Sequence, residues 1–151
     1  MVSSWKGILD PYTIVLGLVA MATSATLVAI GPSQTLDTRF FYSAQTAHDF
    51  LVDIGAEGRS AYLRVECIDF GLICVYSAFL LRVFLRRFEG RPLHWIALVP
   101  GAFDLAETFT IFTLLTHDDF DVPGYLGYLT CAKWVSAIVV LAVAIARPRA
   151  R

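Results

Sequence analysis

Charged residues, cysteines and catalytic motifs are all scarce in this sequence. Only 17% of its 151 residues are charged and 57% are hydrophobic, whereas a soluble domain is usually about a quarter charged. The three cysteines show neither a CxxC pair nor a Cys/His spacing for zinc. There is no Gly-rich phosphate loop, no HExxH, no Ser/His/Asp set and no nucleic-acid-binding module. The sequence therefore predicts no metal, no cofactor and no nucleic-acid partner.

Long apolar runs are what the sequence has in abundance. Four of them, at about residues 12–30, 61–84, 93–115 and 125–146, are long enough to cross the ~30 Å hydrocarbon core of a bilayer. Lys6, ahead of the first run, also fits a signal peptide, but that run is longer than an ordinary signal-peptide core and three more follow. The sequence predicts an all-α, polytopic membrane protein in the lipid bilayer, with residues 1–151 forming a single four-helix transmembrane domain.

The polar connection between the first two runs contains a short amphipathic segment at about residues 43–54. Ser43 is a suitable N-cap for a helix there, and Gly55 is a suitable stop. The apolar side of this helix comprises Ala47, Phe50, Leu51 and Ile54, and the aromatic residues Phe40, Phe41 and Tyr42 come just before it. Because one side is apolar and the other polar, we expect the helix to lie in the membrane interface.

Basic residues are divided unevenly between the two sides that four spans would create. One side carries Lys6, Arg82, Arg86, Arg87, Arg91, Arg147, Arg149 and Arg151, and the other carries only Arg39 and Arg59. Because cytoplasmic segments are enriched in Lys and Arg, both termini should lie in the cytoplasm. We expect a multi-pass protein of the plasma membrane, which would be the inner membrane of a bacterium.

Two carboxylates interrupt the third apolar run, within residues 100–112. Asp104 and Glu107 are three residues apart, so they share one face of a helix. A charged group in a membrane segment costs about 2.5–3.5 kcal/mol on insertion scales, so both should face the protein interior. Pro100 is expected to kink this helix, to free the carbonyl of Ile96 and to widen the space beside Asp104.

Helical rise places further charged residues near these two carboxylates. Counted from the outer ends of the spans, Asp69, Glu107 and Lys133 lie roughly 10–15 Å deep, and Asp104 lies slightly deeper. With the residues about a turn nearer the outer surface, the predicted ligand-binding set is Tyr62, Arg64, Glu66, Asp69, Asp104, Glu107 and Lys133. Its four acids outnumber its two bases, so at least one carboxyl should keep a proton in an outward-opening polar pocket.

Three functions are open for this set. The leading hypothesis is that it binds a small or lipid-like ligand, or a cation, from the outer side, because ionisable residues inside a membrane are usually functional. A second is a membrane-embedded enzyme that uses one protonated carboxyl as general acid on an apolar substrate. A third is a structural subunit, in a homo-oligomer or with a membrane partner, whose charges only pair helices at about 0.6 kcal/mol each.

Short motifs across about residues 40–135 resemble small bacterial four-span integral membrane proteins of uncharacterised activity. The matching positions are Tyr42, residues 51–55, Gly58, Arg59, Tyr62, Asp69, Tyr76, Pro100, Asp104, Glu107, Lys133 and Trp134. In the third helix, Pro100, Asp104 and Glu107 resemble a Pro-x3-Asp-x2-Glu-Asn element, with Thr108 standing where the element has Asn. The resemblance implies a four-span membrane fold and no particular activity.

Overall fold

Helices account for all the regular secondary structure in the computed structural model, which describes residues 10–30, 35–89, 92–117 and 121–146. They are α1 Pro11–Ile30, α2 Ala44–Asp53, α3 Gly55–Arg87, α4 Val99–Thr116 and α5 Leu126–Ile145, with a 3₁₀ segment at Pro92–Leu98. Four spans are long and apolar enough to cross a membrane, namely α1, α3, α5 and the 3₁₀ segment together with α4. The predicted all-α architecture with four spans is confirmed, and the protein is a multi-pass membrane protein.

The connection between α2 and α3 is a single tight turn. The Ser43 side chain accepts a hydrogen bond from the Thr46 N–H, so Ser43 caps α2 as predicted. Gly55 follows α2 with a φ of 61°, a conformation that glycine adopts without a steric cost. Helix α3 therefore follows α2 without a linker and begins at Gly55 instead of near residue 61. Ala47 and Leu51, on the apolar face of α2, are buried against the protein core.

Pro100 does not lie inside an α-helix, which was the basis of the predicted kink. The third span begins as a 3₁₀ helix and becomes α-helical only at Val99, so Pro100 lies in the first turn of α4. Proline is tolerated there because the first N–H groups of a helix have no intrahelical partner. Ile96 belongs to the 3₁₀ segment, and the span changes helix type just before Pro100.

One end of the bundle is held together by arginines, and we call it the arginine end. Arg82 and Arg86 pair with Asp10 at 2.7 and 3.1 Å, and Arg87 donates to the carbonyl of Ala146 at 2.9 Å. The start of α1 and the ends of α3 and α5 therefore lie together, as alternating spans require. The hydrogen bond from Arg82 holds the pKa of Asp10 well below its ordinary value of 3.8. The remaining basic residues assigned to this side, Lys6, Arg91, Arg147, Arg149 and Arg151, lie outside the described residues.

The opposite end, which we call the cap end, carries α2 and the loop before it. A core of buried apolar residues fills each end of the bundle. The core at the cap end includes Leu36, Leu51, Tyr62, Ile111 and Leu126, and the core at the arginine end includes Val83, Phe84, Phe88, Ala97 and Val140. In each of α3, α4 and α5, buried polar residues lie between these two cores along the chain. The fold therefore places a polar layer between two apolar layers.

Helix α4 packs against both α3 and α5, whereas α3 and α5 contact each other much less, and α1 packs mainly against α3. Gly101 allows the close approach of α4 to α3, because a methyl group there would collide with the Ser77 hydroxyl. Since α3 and α5 stay apart while α4 contacts both, a groove lies between α3 and α5 with α4 as its floor.

Candidate functional site

Lys133 of α5 is the centre of the buried polar layer. Its Nζ lies 2.6 Å from Glu107 Oε2 and 3.0 Å from Asp104 Oδ1, and it donates to the backbone carbonyl of Asp37 at 3.3 Å. The three charged side chains are all buried. The expectation that Lys133 pairs with at least one acid is confirmed, and both carboxylates of α4 contact it because residues three apart share one helix face.

Glu107 is fully buried and has polar neighbours from two parts of the chain, α5 and the loop before α2. Its Oε1 accepts a hydrogen bond from the Thr130 hydroxyl, one turn before Lys133 on α5, and another from the Tyr42 hydroxyl at 3.3 Å. Tyr42 lies in the loop before α2, and burial together with the charge of Glu107 raises the pKa of its phenol far above 10. Tyr42 therefore keeps its proton and acts as a donor.

Two further hydrogen bonds join α3 to α4 in this layer. The Tyr76 hydroxyl donates to Asp104 Oδ2 at 2.7 Å, so Asp104 has a neighbour on each of its oxygens. The Thr108 hydroxyl donates to Asp69 Oδ2 at 3.1 Å. Thr108, at the position where Asn was expected, therefore still supplies a hydrogen-bond donor to the layer.

Glu66 is the least satisfied carboxyl of the described residues. It is buried at 1% exposure, and neither side-chain oxygen has a hydrogen-bond partner within the described chain. Because an isolated buried charge is very costly, we expect Glu66 to be neutral. That at least one carboxyl of the predicted set keeps a proton stays a prediction, and Glu66 is the candidate for it.

Tyr62 and Arg64 occupy opposite sides of α3. Tyr62 is fully buried, where its hydroxyl accepts from the Leu36 N–H at 3.2 Å and donates to Asp37 Oδ1 at 3.5 Å. Arg64 is exposed and reaches only the Ser60 hydroxyl, at 3.4 Å. Residues two apart on a helix do not share a face. The structure therefore does not bring Arg64 into the polar layer, and Lys133 is the only base of the predicted set that lies there.

The loop of residues 35–43, which we call the cap loop, covers the polar layer at the cap end. Asp37 and Tyr42 contact Lys133 and Glu107 as described, and the Trp134 Nε1–H donates to the carbonyl of Arg39 at 3.1 Å. Gly127 makes room for the loop, because a methyl group there would collide with its backbone. The cap loop therefore covers the polar layer at this end within the described residues, with Tyr42 buried, and the outward opening of the pocket stays a prediction.

The polar layer opens sideways into the groove between α3 and α5. A cavity of about 300 Å³ lies there, lined by Tyr76, Leu80, Pro100, Asp104, Lys133, Trp134, Ala137 and Leu141. Its walls are apolar except at one end, where Asp104, Lys133 and Tyr76 meet. A larger crevice of about 560 Å³ between α1 and α3 shares Tyr76 and Leu80 with this cavity but has no charged residue in its lining.

Several members of the polar layer were not predicted as site residues. Thr130 lies three residues before Lys133 and Tyr76 seven after Asp69, so helical periodicity could have found both. Tyr42 and the carbonyl of Asp37 lie in the layer because of how the cap loop folds. A loop has no helical periodicity, so the sequence pattern could not predict their position. Among the described residues, no group of three or more His, Cys, Asp or Glu side chains is arranged to hold a metal ion.

Comparisons of the chain with protein-family models, with curated proteins and with solved structures find no match. The resemblance to four-span bacterial proteins therefore stays a prediction.

Proposed function

We propose that this membrane protein binds a lipid-like amphiphile in the groove between α3 and α5. The polar end of the ligand would meet Asp104, Lys133 and Tyr76, and its apolar part would lie along Leu80 and Ala137. The observation that carries the proposal is the cavity of about 300 Å³ that joins apolar walls to an ion-paired carboxylate. A mostly apolar lining with a few convergent polar groups is typical of small-molecule sites.

Access from within the bilayer fits this geometry better than access from the outer side. The cap loop closes the polar layer at the cap end through Lys133, Glu107 and Trp134. The groove, by contrast, lies between two spans that face lipid. An amphiphile dissolved in the membrane would reach Asp104 without displacing the cap loop.

The cavity also weighs against the two alternative functions. Charges that only hold helices together would form a dry, fully paired cluster, whereas here Asp104 faces open space. A general acid would need a carboxyl in the groove that can donate a proton, but Asp104, the carboxyl that lines the groove, is ion-paired with Lys133 at 3.0 Å and accepts from Tyr76 at 2.7 Å. Glu66, which we expect to be neutral, is not among the residues that line the groove.

The proposal can be tested by comparing the amphiphiles that copurify with the wild-type protein and with Ala137→Phe in a mild detergent. Mass spectrometry of the extracted lipids should find a molecule that the wild type retains and Ala137→Phe loses, because the ring fills the groove. The matched control is Ala142→Phe, the same change at an exposed position of α5. Asp104→Asn should also lose the molecule with little change in melting temperature. Equal retention by wild type and Ala137→Phe would contradict the proposal.

We further propose that the arginine end faces the cytoplasm. The ion pairs of Asp10 and the bond from Arg87 to α5 support one common side for these helix ends, and the uneven distribution of basic residues favours the cytoplasmic one. In a background without the native cysteines, an impermeant maleimide should label Gln45→Cys, on α2, in intact cells. Glu89→Cys, after α3, should be labelled only after lysis. The reverse pattern would contradict this orientation.

A further inference from the structure

In the part of the chain that the structure describes, the donors of Lys133 and Tyr76 at the polar end of the groove already lie close to acceptors of the protein. A lysine ammonium has three N–H groups, and those of Lys133 have three acceptors within reach in Glu107, Asp104 and the carbonyl of Asp37. The single hydroxyl proton of Tyr76 is directed at Asp104 Oδ2, at 2.7 Å. A ligand head that needs donors, such as a carboxylate or phosphate, would have to break one of these contacts.

Acceptor capacity, by contrast, is left over at the same place. An ionised carboxylate has about four acceptor positions, and Asp104 uses one oxygen for Lys133 and the other for Tyr76. The phenolic oxygen of Tyr76 also has room to accept. Both residues line the groove, so their unused lone pairs are within reach of a ligand that donates hydrogen bonds.

The charge of the polar layer also favours a ligand head that donates hydrogen bonds over one that accepts them. By formal charge, Lys133 contributes one positive charge against two negative charges from Asp104 and Glu107, so this buried trio has a formal net charge of −1. Among the described residues, the other ionisable side chains that face the layer are the acids Asp69 and Glu66 of α3, Asp37 of the cap loop, and the tyrosines. None of these adds a positive charge, and Arg64 lies outside the layer. A cationic head would therefore neutralise the layer, whereas an anionic head would increase its excess of negative charge.

Building on the proposed function, we infer that the ligand of the groove is a cationic amphiphile, a protonated amine attached to an apolar chain. Its ammonium would donate hydrogen bonds to Asp104 Oδ1 or Oδ2 and to the oxygen of Tyr76. Its chain would extend along Leu80, Ala137 and Leu141. Fatty acids and phosphate-headed amphiphiles of the same length should bind much more weakly.

Trp134 lines the groove and supplies a local reporter for the test. The chain has three tryptophans, so the variant W5F/W95F leaves Trp134 as the single tryptophan, whose fluorescence can be excited selectively. Reconstituted in nanodiscs of zwitterionic lipid at pH 7, it is titrated with three probes of one chain length, each brominated on the chain: an amine, an alcohol and a carboxylate. Bromine quenches Trp134 on contact, and the signal that Ala137→Phe removes measures occupancy of the groove.

We expect the amine to bind at least tenfold more tightly than the carboxylate, with the alcohol between them. Asp104→Asn should lower the affinity for the amine by about tenfold or more, equivalent to at least ~1.4 kcal/mol, and leave the affinity for the alcohol nearly unchanged. Asp49→Asn, which removes an exposed carboxylate from α2, is the matched control and should change neither.

The outcomes separate the ligand class from the binding function. If the alcohol or the carboxylate equals the amine and Ala137→Phe still abolishes quenching, the groove binds amphiphiles but the inferred class is wrong. If no probe gives quenching that Ala137→Phe removes, the proposed function itself fails. The relative affinities of the three probes for the W5F/W95F protein decide between these results even if Asp104→Asn does not fold.

Discussion

Replacing Lys133 with methionine should destabilise the fold by far more than the loss of ordinary interhelical contacts. Methionine preserves most of the apolar stem but removes the ammonium, which lies 2.6 Å from Glu107 and 3.0 Å from Asp104. Hydrogen bonds between membrane helices average about 0.6 kcal/mol each. Removing one partner of a buried ion pair costs about 3–5 kcal/mol, because the other charge is left uncompensated. Two carboxylates would be stranded here, so we expect a loss of about 3–5 kcal/mol at pH 7.5.

The assay is reversible unfolding in mixed micelles, followed by circular dichroism as the denaturing detergent increases. The cost of Lys133→Met should shrink at pH 5, because the stranded carboxyls can take up protons and lose their charge. The triple variant K133M/D104N/E107Q has a similar shape but no charge in the trio, and it should recover most of the lost free energy. Val135→Met, at an exposed position of α5, controls for the introduction of methionine.

Two results would refute this reasoning. A cost below about 1 kcal/mol at pH 7.5, without dependence on pH, would mean that the trio contributes no more than ordinary interhelical contacts. A triple variant no more stable than Lys133→Met would mean that lost contacts, and not unpaired charge, cause the destabilisation.

Two further predictions concern the ends of the bundle. Asp10→Asn should loosen α1 from α3 by removing the ion pair with Arg82, and hydrogen exchange at the start of α1 should become faster; unchanged exchange would contradict this. Because the pKa of Asp10 is lowered, the wild-type ion pair should be fully present above pH 3.8 and be lost only as the pH falls well below it. Gly127→Ala should destabilise the fold by about 1–3 kcal/mol, since the methyl group meets the backbone of Tyr42. The control is Gly71→Ala, where nothing lies within 4 Å of the added methyl, and in the same unfolding assay it should be neutral or stabilising by up to about 1 kcal/mol. If Gly71→Ala destabilised the fold more than Gly127→Ala, the described packing of the cap loop against Gly127 would be contradicted.

The sequence by itself determined the four spans and the meeting of Asp104, Glu107 and Lys133. Span length follows from a continuous apolar run, which is a local property of the chain. The 3.6-residue period places Asp104 and Glu107 on one face, and the cost of exposing charge to lipid turns that face inward. Helical rise put Lys133 at the same depth as these carboxylates and Arg64 about a turn nearer the outer surface, so the pairing of Lys133 with at least one acid could be predicted before the structure.

Only the tertiary structure decided how the polar layer is closed and where it opens. Two hydrogen bonds hold the cap loop: Lys133 donates to the Asp37 carbonyl, and Tyr42 donates to Glu107. Both join segments far apart in sequence, which no periodicity encodes. The rotation of α3 that buries Tyr62 and exposes Arg64 depends on which helices are its neighbours. The groove exists because α4 contacts both α3 and α5 while these two stay apart. Helical period and hydropathy act along one segment, whereas the groove and the cap depend on the relative placement of several segments, which packing in three dimensions sets.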